Sequence, residues 1–463
     1  MNDYASFVAR KLSTVCPTGI AGAVDLPASL FPHQDALTRW ALKRGRAAIF
    51  ADTGLGKSRM ELAWAAQVTR ETGKPTLILA PLAVAAQTAV EGVQIGLEVT
   101  VCRDGADVND RGINITNYDR LHRFDPSIFG GIVLDESSII KHHDAKTFST
   151  LTAAFRDTPF KLPATATPAP NDWTELGTHA EFLGICTRQE MLSEFFTHDG
   201  GDTSVWRLKG HARQQFWRWV VGWGALIRKP SDIGFDDGAY NLPPLHLHEH
   251  HVEVDMPTNG MLFAMEAQTL SERRDARRMS MEDRVRECIK RVNAEPDEPW
   301  VVWCDLNAEQ DDLARAFGSR CYSVAGSDSI EDKESRILGW MAGERPIILS
   351  KPSIMGWGVN MQRAARMAFV GVTDSYEAYY QAIRRIWRFG QKRECHAHLF
   401  VSKAEGAVAA NLKRKEREAA QMAESLSAET RDAVMTEVTG NVRQTNAHDA
   451  SKNVNVPPFL KAA

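Results

Sequence analysis

The stretch "ADTGLGKS", residues 51–58, combines glycines with a lysine and a hydroxyl at a spacing that can bind phosphate. It follows an apolar run and precedes a helical pattern, which is the context of a phosphate-binding loop. Glycines let backbone N–H groups turn toward an anion, and the next helix adds its N-terminal dipole. The residues predicted to contact a nucleotide are Thr53, Gly54, Leu55, Gly56, Lys57 and Ser58.

Two of these side chains have specific predicted roles. Lys57 would reach the β and γ phosphates, and the Ser58 hydroxyl would bind Mg²⁺. The motif departs from its general form at Ala51, where the first glycine is usual. A glycine turn before a core helix can also produce such a motif by itself. A second signal is therefore needed.

That signal is "GGIVLDESS", residues 130–138, an apolar run that ends in two acids. At the carboxyl edge of a sheet, Asp135 would complete the Mg²⁺ site and Glu136 would orient an attacking water. Together, the two motifs predict an enzyme that hydrolyses a nucleoside triphosphate.

Composition sets the limits within which these motifs act. The chain has 463 residues, 43% of them hydrophobic, and a net charge of -4, so a polyanion would be met by a local patch. The seven cysteines show no CxxC spacing, which argues against zinc and against a dense disulfide framework and favours a reducing compartment. No stretch has the roughly 18 apolar residues of a membrane span. We expect a soluble, intracellular protein without membrane contact.

Short β-rich runs alternate with helical windows in two series, one from about residue 31 to 167 and one from about 298. This alternation predicts an α/β protein with two tandem lobes, each a mostly parallel sheet flanked by helices. The Gly- and Pro-containing stretch "DDGAYNLPPLHLHEHH" suggests a boundary near residue 240. The predicted divisions are an N-terminal extension, two lobes and a tail that is helical and then disordered: 1–24, 25–240, 241–403 and 404–463.

The chain resembles superfamily-two helicase-like ATPases, and within them the Swi/Snf-type DNA translocases in a minimal bacterial or viral form. In the first lobe the similar segments are "LFPHQ", "LILAPLAV", "ITNYDRL" and "ATATPAPND". The resemblance implies that the second and third of these touch a nucleic-acid backbone. In the second lobe they are "VAGSDSIEDKESRIL", "ILSKPSIMGWGVNMQ" and "QAIRRIWRFGQK", in the family's order. Any one segment is weak evidence, but the series spans roughly residues 30–403.

The resemblance implies two RecA-like lobes that clamp ATP and Mg²⁺ in the cleft between them. Gln34 would contact adenine, and Gly358 belongs to a GxGxN segment that would also line the cleft. Arg385 and Arg388 would face the γ-phosphate from the second lobe, while Arg384 is expected to be solvated. The implied partner is DNA, contacted through its backbone without sequence preference by a monomer in the cytoplasm of a bacterium or phage-infected host. The lack of large insertions leaves target choice to a recruiting protein.

Alternatives remain open on the same motifs. The scaffold also serves RNA helicases, and the phosphate loop alone would suit a nucleotide-controlled binding switch with slow ATPase activity. Ser138 stands where many relatives have histidine, which leaves the coupling between hydrolysis and the other first-lobe motifs undefined.

Three further segments favour structural interpretations. In the Trp-rich stretch 205–230, apolar residues recur at helical spacing, which favours packing over direct DNA contact. "HLHEHH", residues 246–251, is interpreted as a solvated strand face, since the sequence suggests no acid or thiol partner for a metal. "SERRDARRMSMEDRVREC", residues 271–288, is interpreted as a solvated helix face.

Overall fold

A computed structural model describes residues 17–81, 84–169, 172–199, 202–252, 278–355, 359–371, 376–402, 431, 434–436 and 438. The predicted N-terminal extension therefore lies outside the described residues up to position 16, as does most of the predicted tail.

The first lobe is built on a seven-stranded sheet in which every neighbouring pair is parallel. Its strands have the order β3-β4-β2-β5-β6-β1-β9. They are β1 (Ala48–Ala51), β2 (Thr76–Ala80), β3 (Val99–Val101), β4 (Ile113–Asn117), β5 (Gly131–Asp135), β6 (Phe160–Thr165) and β9 (Gly224–Ile227). An antiparallel hairpin, β7 (Phe196–Asp199) and β8 (Asp202–Leu208), precedes β9. The helices are α1 (Pro32–Arg44), α2 (Lys57–Thr72), α3 (Val84–Gln94), α4 (Lys146–Ala154), α5 (Leu176–Leu183), α6 (Arg188–Phe195) and α7 (Arg213–Val221).

The second lobe contains a six-stranded parallel sheet of order β10-β15-β14-β11-β13-β12. Its strands are β10 (Leu245–Val252), β11 (Trp300–Trp303), β12 (Cys321–Val324), β13 (Ile347–Ser350), β14 (Arg366–Phe369) and β15 (Cys395–Ser402). Its helices are α8 (Met281–Asn293), α9 (Asn307–Phe317), α10 (Ile330–Ala342), α11 (Pro352–Met355) and α12 (Tyr376–Ile383). The chain passes from β9 of the first sheet to β10 of the second through residues 228–244.

Both sheets are buried on two faces, as parallel sheets generally are. In β2, Leu77 and Leu79 pack into one core while Ile78 and Ala80 pack into the other. In the second lobe the strand 300–303 divides its side chains between two cores in the same way. The predicted α/β class with two tandem lobes, each a mostly parallel sheet flanked by helices, is confirmed.

The Trp-rich segment packs inside the first lobe, as its spacing predicted. Phe216, Val220 and Trp223 are fully buried. Helix α7 nevertheless ends at Val221, and the next apolar residues form strand β9. The apparent helical period therefore runs across a helix and a strand, because both bury their apolar side chains in the same core.

Residues 271–277 of the predicted solvated helix face lie outside the described residues, and within α8 the expectation is wrong at Arg284. Arg284 is fully buried and forms an ion pair with the equally buried Glu309 of α9 at 2.8 Å. It also donates to the backbone carbonyl of Val370. A buried arginine requires such partners, so Arg284 joins α8 to α9 and to the sheet.

The few described residues of the tail contact the first lobe. Val434 is buried in the core that contains Ile49 and Ile227, and Arg431 donates to the carbonyl of Ser231. The expectation of an exposed helix is therefore wrong at Val434. The six cysteines in the described part of the chain are free thiols. Among the described residues, no helix is both long enough and apolar enough to cross a membrane.

Candidate active site

The phosphate-loop motif forms a tight turn between β1 and α2. Gly54 and Gly56 have φ angles of 93° and 82°, which strongly favour glycine. A Cβ atom at Gly54 would lie 2.9 Å from the backbone nitrogen of Phe389, and one at Gly56 would lie 2.2 Å from Nε2 of Gln34. Ala51, by contrast, belongs to the strand and needs no glycine, so the departure from the general motif has no structural cost.

Lys57 and Ser58 begin helix α2, directly after the left-handed Gly56. The Nζ atom of Lys57 donates to the carbonyl oxygen of Ala51 at 2.9 Å, which folds the side chain back over the loop. The motif therefore directs a cation, a hydroxyl and the N-terminus of a 16-residue helix to one side of the turn.

A cavity of about 310 Å³ opens at this turn, between the two lobes. From the first lobe it is lined by Gln34, Thr53, Gly54, Gly56, Lys57, Ser58, Asp135 and Glu136, and from the second by Asn360, Gln362, Arg385, Arg388 and Phe389. The structure thus brings together nearly all of the site residues predicted from the sequence. Leu55 is buried behind the loop, and its carbonyl oxygen accepts from Gln34. Gly358 lies outside the described residues.

The two acids sit at the end of β5, as predicted. Burial raises the pKa of Asp135 to about 7, with a further contribution from Glu136, while Lys57 opposes the shift. Glu136 has a φ of 52°, the one positive value among the described non-glycine residues. Such strain at the end of a strand is typical of a side chain held for function. The hydroxyl of Thr165 approaches the Glu136 carboxylate at 3.4 Å.

Two arginines reach these acids from the second lobe. Arg385 is 3% exposed and places a guanidinium nitrogen 3.9 Å from Glu136. Burial lowers its pKa to about 10, and Glu136 counteracts the shift. Burial also lowers the pKa of Arg388, whose Nε has no hydrogen-bond partner among the described residues. The site therefore concentrates positive charge opposite the acids and the phosphate loop.

The expectation that Arg384 is solvated is wrong. Its side chain is 11% exposed and forms an ion pair across the cleft with Asp52 at 3.1 Å. The hydroxyl of Tyr380 donates to the same carboxylate at 2.9 Å. Asp52 directly precedes the predicted contact Thr53, so the phosphate loop itself is paired with the second lobe.

Aromatic side chains close one end of the cavity. Tyr240 and Phe389 have ring centroids 4.6 Å apart, and Phe31 meets both at 5.9 and 5.8 Å. Gln34 lies beside them, where its amide accepts from the backbone nitrogen of Phe31 and donates to Leu55. Flat apolar surfaces next to an amide can hold a planar base. Sequence reasoning found Gln34 but not the aromatic group.

Sequence reasoning also missed Glu61, which lies one helical turn after Lys57 in α2. It is 1% exposed, and neither carboxylate oxygen has a hydrogen-bond partner among the described residues. Burial raises its pKa well above the ordinary value, and Asp135 adds to the shift. The sequence does not indicate this environment, because Glu61 lies in an apolar helical stretch and the acid that raises its pKa, Asp135, comes from β5.

A second cavity, of about 460 Å³, lies on the other side of Glu136. It is lined by Pro81, Asn117, Tyr118, Asp119, Ser138, Lys141 and Ser353, which include parts of the segments expected to touch nucleic acid. Ser138 is buried and its hydroxyl has no hydrogen-bond partner among the described residues. Its neighbour Ser137 contacts His179 at 3.1 Å instead. Glu136 is thus shared by both cavities.

The donor set of the first cavity fits a magnesium-bound nucleotide. Mg²⁺ prefers oxygen ligands, and Ser58 and Asp135 provide a hydroxyl and a carboxylate. The positive φ angles of Gly54 and Gly56 produce the kind of turn in which backbone N–H groups can bind a phosphate. The unpartnered Nε of Arg388 offers a further donor.

Comparison with known proteins bears on the second lobe first. Residues 282–390 match the family described as "Helicase conserved C-terminal domain". The second lobe is therefore similar to a helicase C-terminal domain over these residues. The match confirms the resemblance to helicase-like proteins predicted from the sequence.

No curated protein matches the chain. Among solved structures, the Sulfolobus solfataricus SWI2/SNF2 ATPase core in complex with dsDNA is similar, at 18% sequence identity and a TM-score of 0.42. The similarity covers 82% of this chain and 89% of that chain. The residues that match the helicase C-terminal family include Arg384, Arg385 and Arg388, which the second lobe contributes to the cleft.

Proposed function

We propose that this chain is an ATP hydrolase that moves along double-stranded DNA, a translocase of the Swi/Snf type. One observation carries the proposal: Arg385 and Arg388 of the helicase C-terminal domain face Asp135 and Glu136 of the first lobe across the mouth of a phosphate loop. Such a site is complete only when the two lobes meet, so hydrolysis would depend on their relative position.

Each residue of the cleft then has a task. Lys57 and the loop N–H groups hold the triphosphate, and the aromatic group around Tyr240 holds the base. Ser58 and Asp135 would bind Mg²⁺, which neutralises charge on the phosphate oxygens when bound. Glu136 orients the attacking water and accepts its proton. Arg385 and Arg388 stabilise the charge that develops in the transition state.

Coupling to movement follows from contacts that cross the cleft. Asp52 is bonded to Tyr380 and Arg384, and the backbone nitrogen of Asn360 donates to Gln87 at 3.2 Å. These bonds form and break as the lobes close and open around the nucleotide.

The second cavity supports a route to the nucleic acid. Glu136 lines both cavities. A movement of its side chain during hydrolysis would therefore also change the second cavity, beside Tyr118 and Lys141. The Thr165 contact ties Glu136 to the end of β6. DNA is favoured over RNA because the motifs resemble those of the Swi/Snf branch.

Movement is tested by displacement of a third strand from a DNA triplex. We expect the wild-type chain to release the third strand from a duplex when ATP is present and to leave it bound without ATP. Lys57→Ala, which lacks the phosphate contact, is the control and should release none. If duplex DNA stimulates hydrolysis while the third strand stays bound, hydrolysis does not drive movement and the proposal is wrong.

A further inference from the structure

Histidines and one acid follow two adjacent strands at the edge of the second sheet. Strand β10 pairs in parallel with β15 along its whole length, which sets His246 opposite His396 and His248 opposite His398. Glu394 immediately precedes β15. The solvated-face interpretation of "HLHEHH" is therefore incomplete, because the partners missing from that segment are supplied 148 positions later by the neighbouring strand.

Three of these side chains converge. His246, Glu394 and His396 each offer one ligand atom, and all three atoms lie within 4.8 Å of one another. Nε2 of His246 is 3.2 Å from the Glu394 carboxylate, and the rings of His246 and His396 stack at 4.8 Å. Two ligands bound at about 2.1 Å to a tetrahedral ion lie about 3.4 Å apart. Only small side-chain shifts would therefore be needed to bind an ion.

The surroundings favour ligation. His248 places its Nε2 3.0 Å from Nδ1 of His396, the kind of bond that fixes the orientation of a ligating imidazole. Arg366 lies opposite His396 on the neighbouring strand β14. Arg366 itself is paired with Glu295 at 2.7 Å, so its charge is offset.

The site is also accessible. The side chains of His246 and Glu394 are 43% and 61% exposed, so an ion can enter from solvent and a water can occupy a fourth position. Two imidazoles and a carboxylate suit Zn²⁺, whereas Mg²⁺ and Ca²⁺ prefer sites built only from oxygen.

We propose that His246, Glu394 and His396 form a binding site for a divalent transition-metal ion of the Zn²⁺ class, separate from the nucleotide cleft. A bound ion would cross-link β10 to β15. Because β10 is the edge strand and the first strand after the interlobe connection, the ion would fix the point where the chain enters the second lobe.

The test uses untagged full-length protein treated with EDTA and then titrated with Co²⁺, whose visible absorption reports bound nitrogen and oxygen ligands, followed by competition with Zn²⁺. We expect one Co²⁺ per chain, displaced by Zn²⁺. His396→Gln and Glu394→Gln should each weaken Co²⁺ binding at least about 10-fold, since loss of even an outer-sphere partner costs about 10- to 100-fold.

His251→Gln is the matched control, because His251 lies on the same strand outside the cluster and contacts Glu249 instead. It should bind Co²⁺ like the wild type. Melting temperatures measured in EDTA verify that each variant is folded, and Zn²⁺ should raise the melting temperature of the wild type but not of His396→Gln. The proposal would be overturned if the wild type showed no Co²⁺ absorption, or if His396→Gln and Glu394→Gln bound Co²⁺ as tightly as the wild type does.

Discussion

Arg388→Ala is expected to lower kcat for ATP hydrolysis at saturating DNA by at least about 10²-fold, while the affinities for ATP and DNA change only severalfold. Arg388 is a half-buried cation that lines the same cavity as Glu91, Asp135 and Glu136, and burial of its guanidinium lowers its pKa. A guanidinium in this position acts on charge that appears in the transition state, and arginine fingers of this kind contribute about 10³- to 10⁵-fold in rate.

The shape of the side chain provides a second check on Arg388. Arg388→Lys should not restore the rate, because an ammonium cannot reproduce the planar fork of a guanidinium. The matched control is Lys392→Ala, which removes an exposed cation four positions later and should leave kcat unchanged. If Arg388→Ala hydrolyses ATP normally but needs far more DNA, Arg388 is a DNA contact and the catalytic assignment is wrong.

Lys57→Ala and Glu136→Gln should both abolish turnover but differ in nucleotide binding. Lys57 contacts phosphate in the ground state, so its loss should weaken ATP binding together with hydrolysis. Glu136 acts on water, so Glu136→Gln should still bind ATP while kcat falls by about 10²- to 10⁴-fold, the usual contribution of a general base. Equilibrium binding of a fluorescent ATP analogue and single-turnover hydrolysis separate the two effects.

Glu71→Gln serves as the control for the loss of a carboxylate, since Glu71 is exposed at the far end of α2. It should match the wild type in both assays. Hydrolysis by Glu136→Gln at close to the wild-type rate would show that another group orients the water. The buried Glu61, whose pKa is also raised, would then be the next candidate.

The sequence predicted the parts of the site that depend on local chemistry. The loop glycines, Lys57 and the acid pair are defined by neighbours in the chain, and each occupies its expected end of β1, α2 or β5. The short β-rich runs that alternate with helical windows likewise predicted strands, and these strands are found in the two sheets. These predictions succeed because backbone turns and strand ends are local properties.

Other features depend on elements that meet only in the folded chain. Arg384 was expected to be solvated, yet Asp52 of the other lobe pairs with it. Tyr240 gave no signal, since its aromatic partner Phe389 comes from the second lobe. The proposed metal site of strands β10 and β15 was likewise not predicted, because Glu394 and β15 lie far from residues 246–251 in the sequence.

The most direct test of the account compares the steady-state ATPase rate of the chain alone with its rate in the presence of duplex DNA, single-stranded DNA or duplex RNA. We predict that duplex DNA of any sequence raises the ATPase rate most. The stimulation should decrease as the salt concentration increases, because protein contacts to DNA phosphates release counterions. Preferential stimulation by RNA would instead identify an RNA helicase. A slow rate that no nucleic acid raises would contradict the account and indicate a nucleotide-controlled switch.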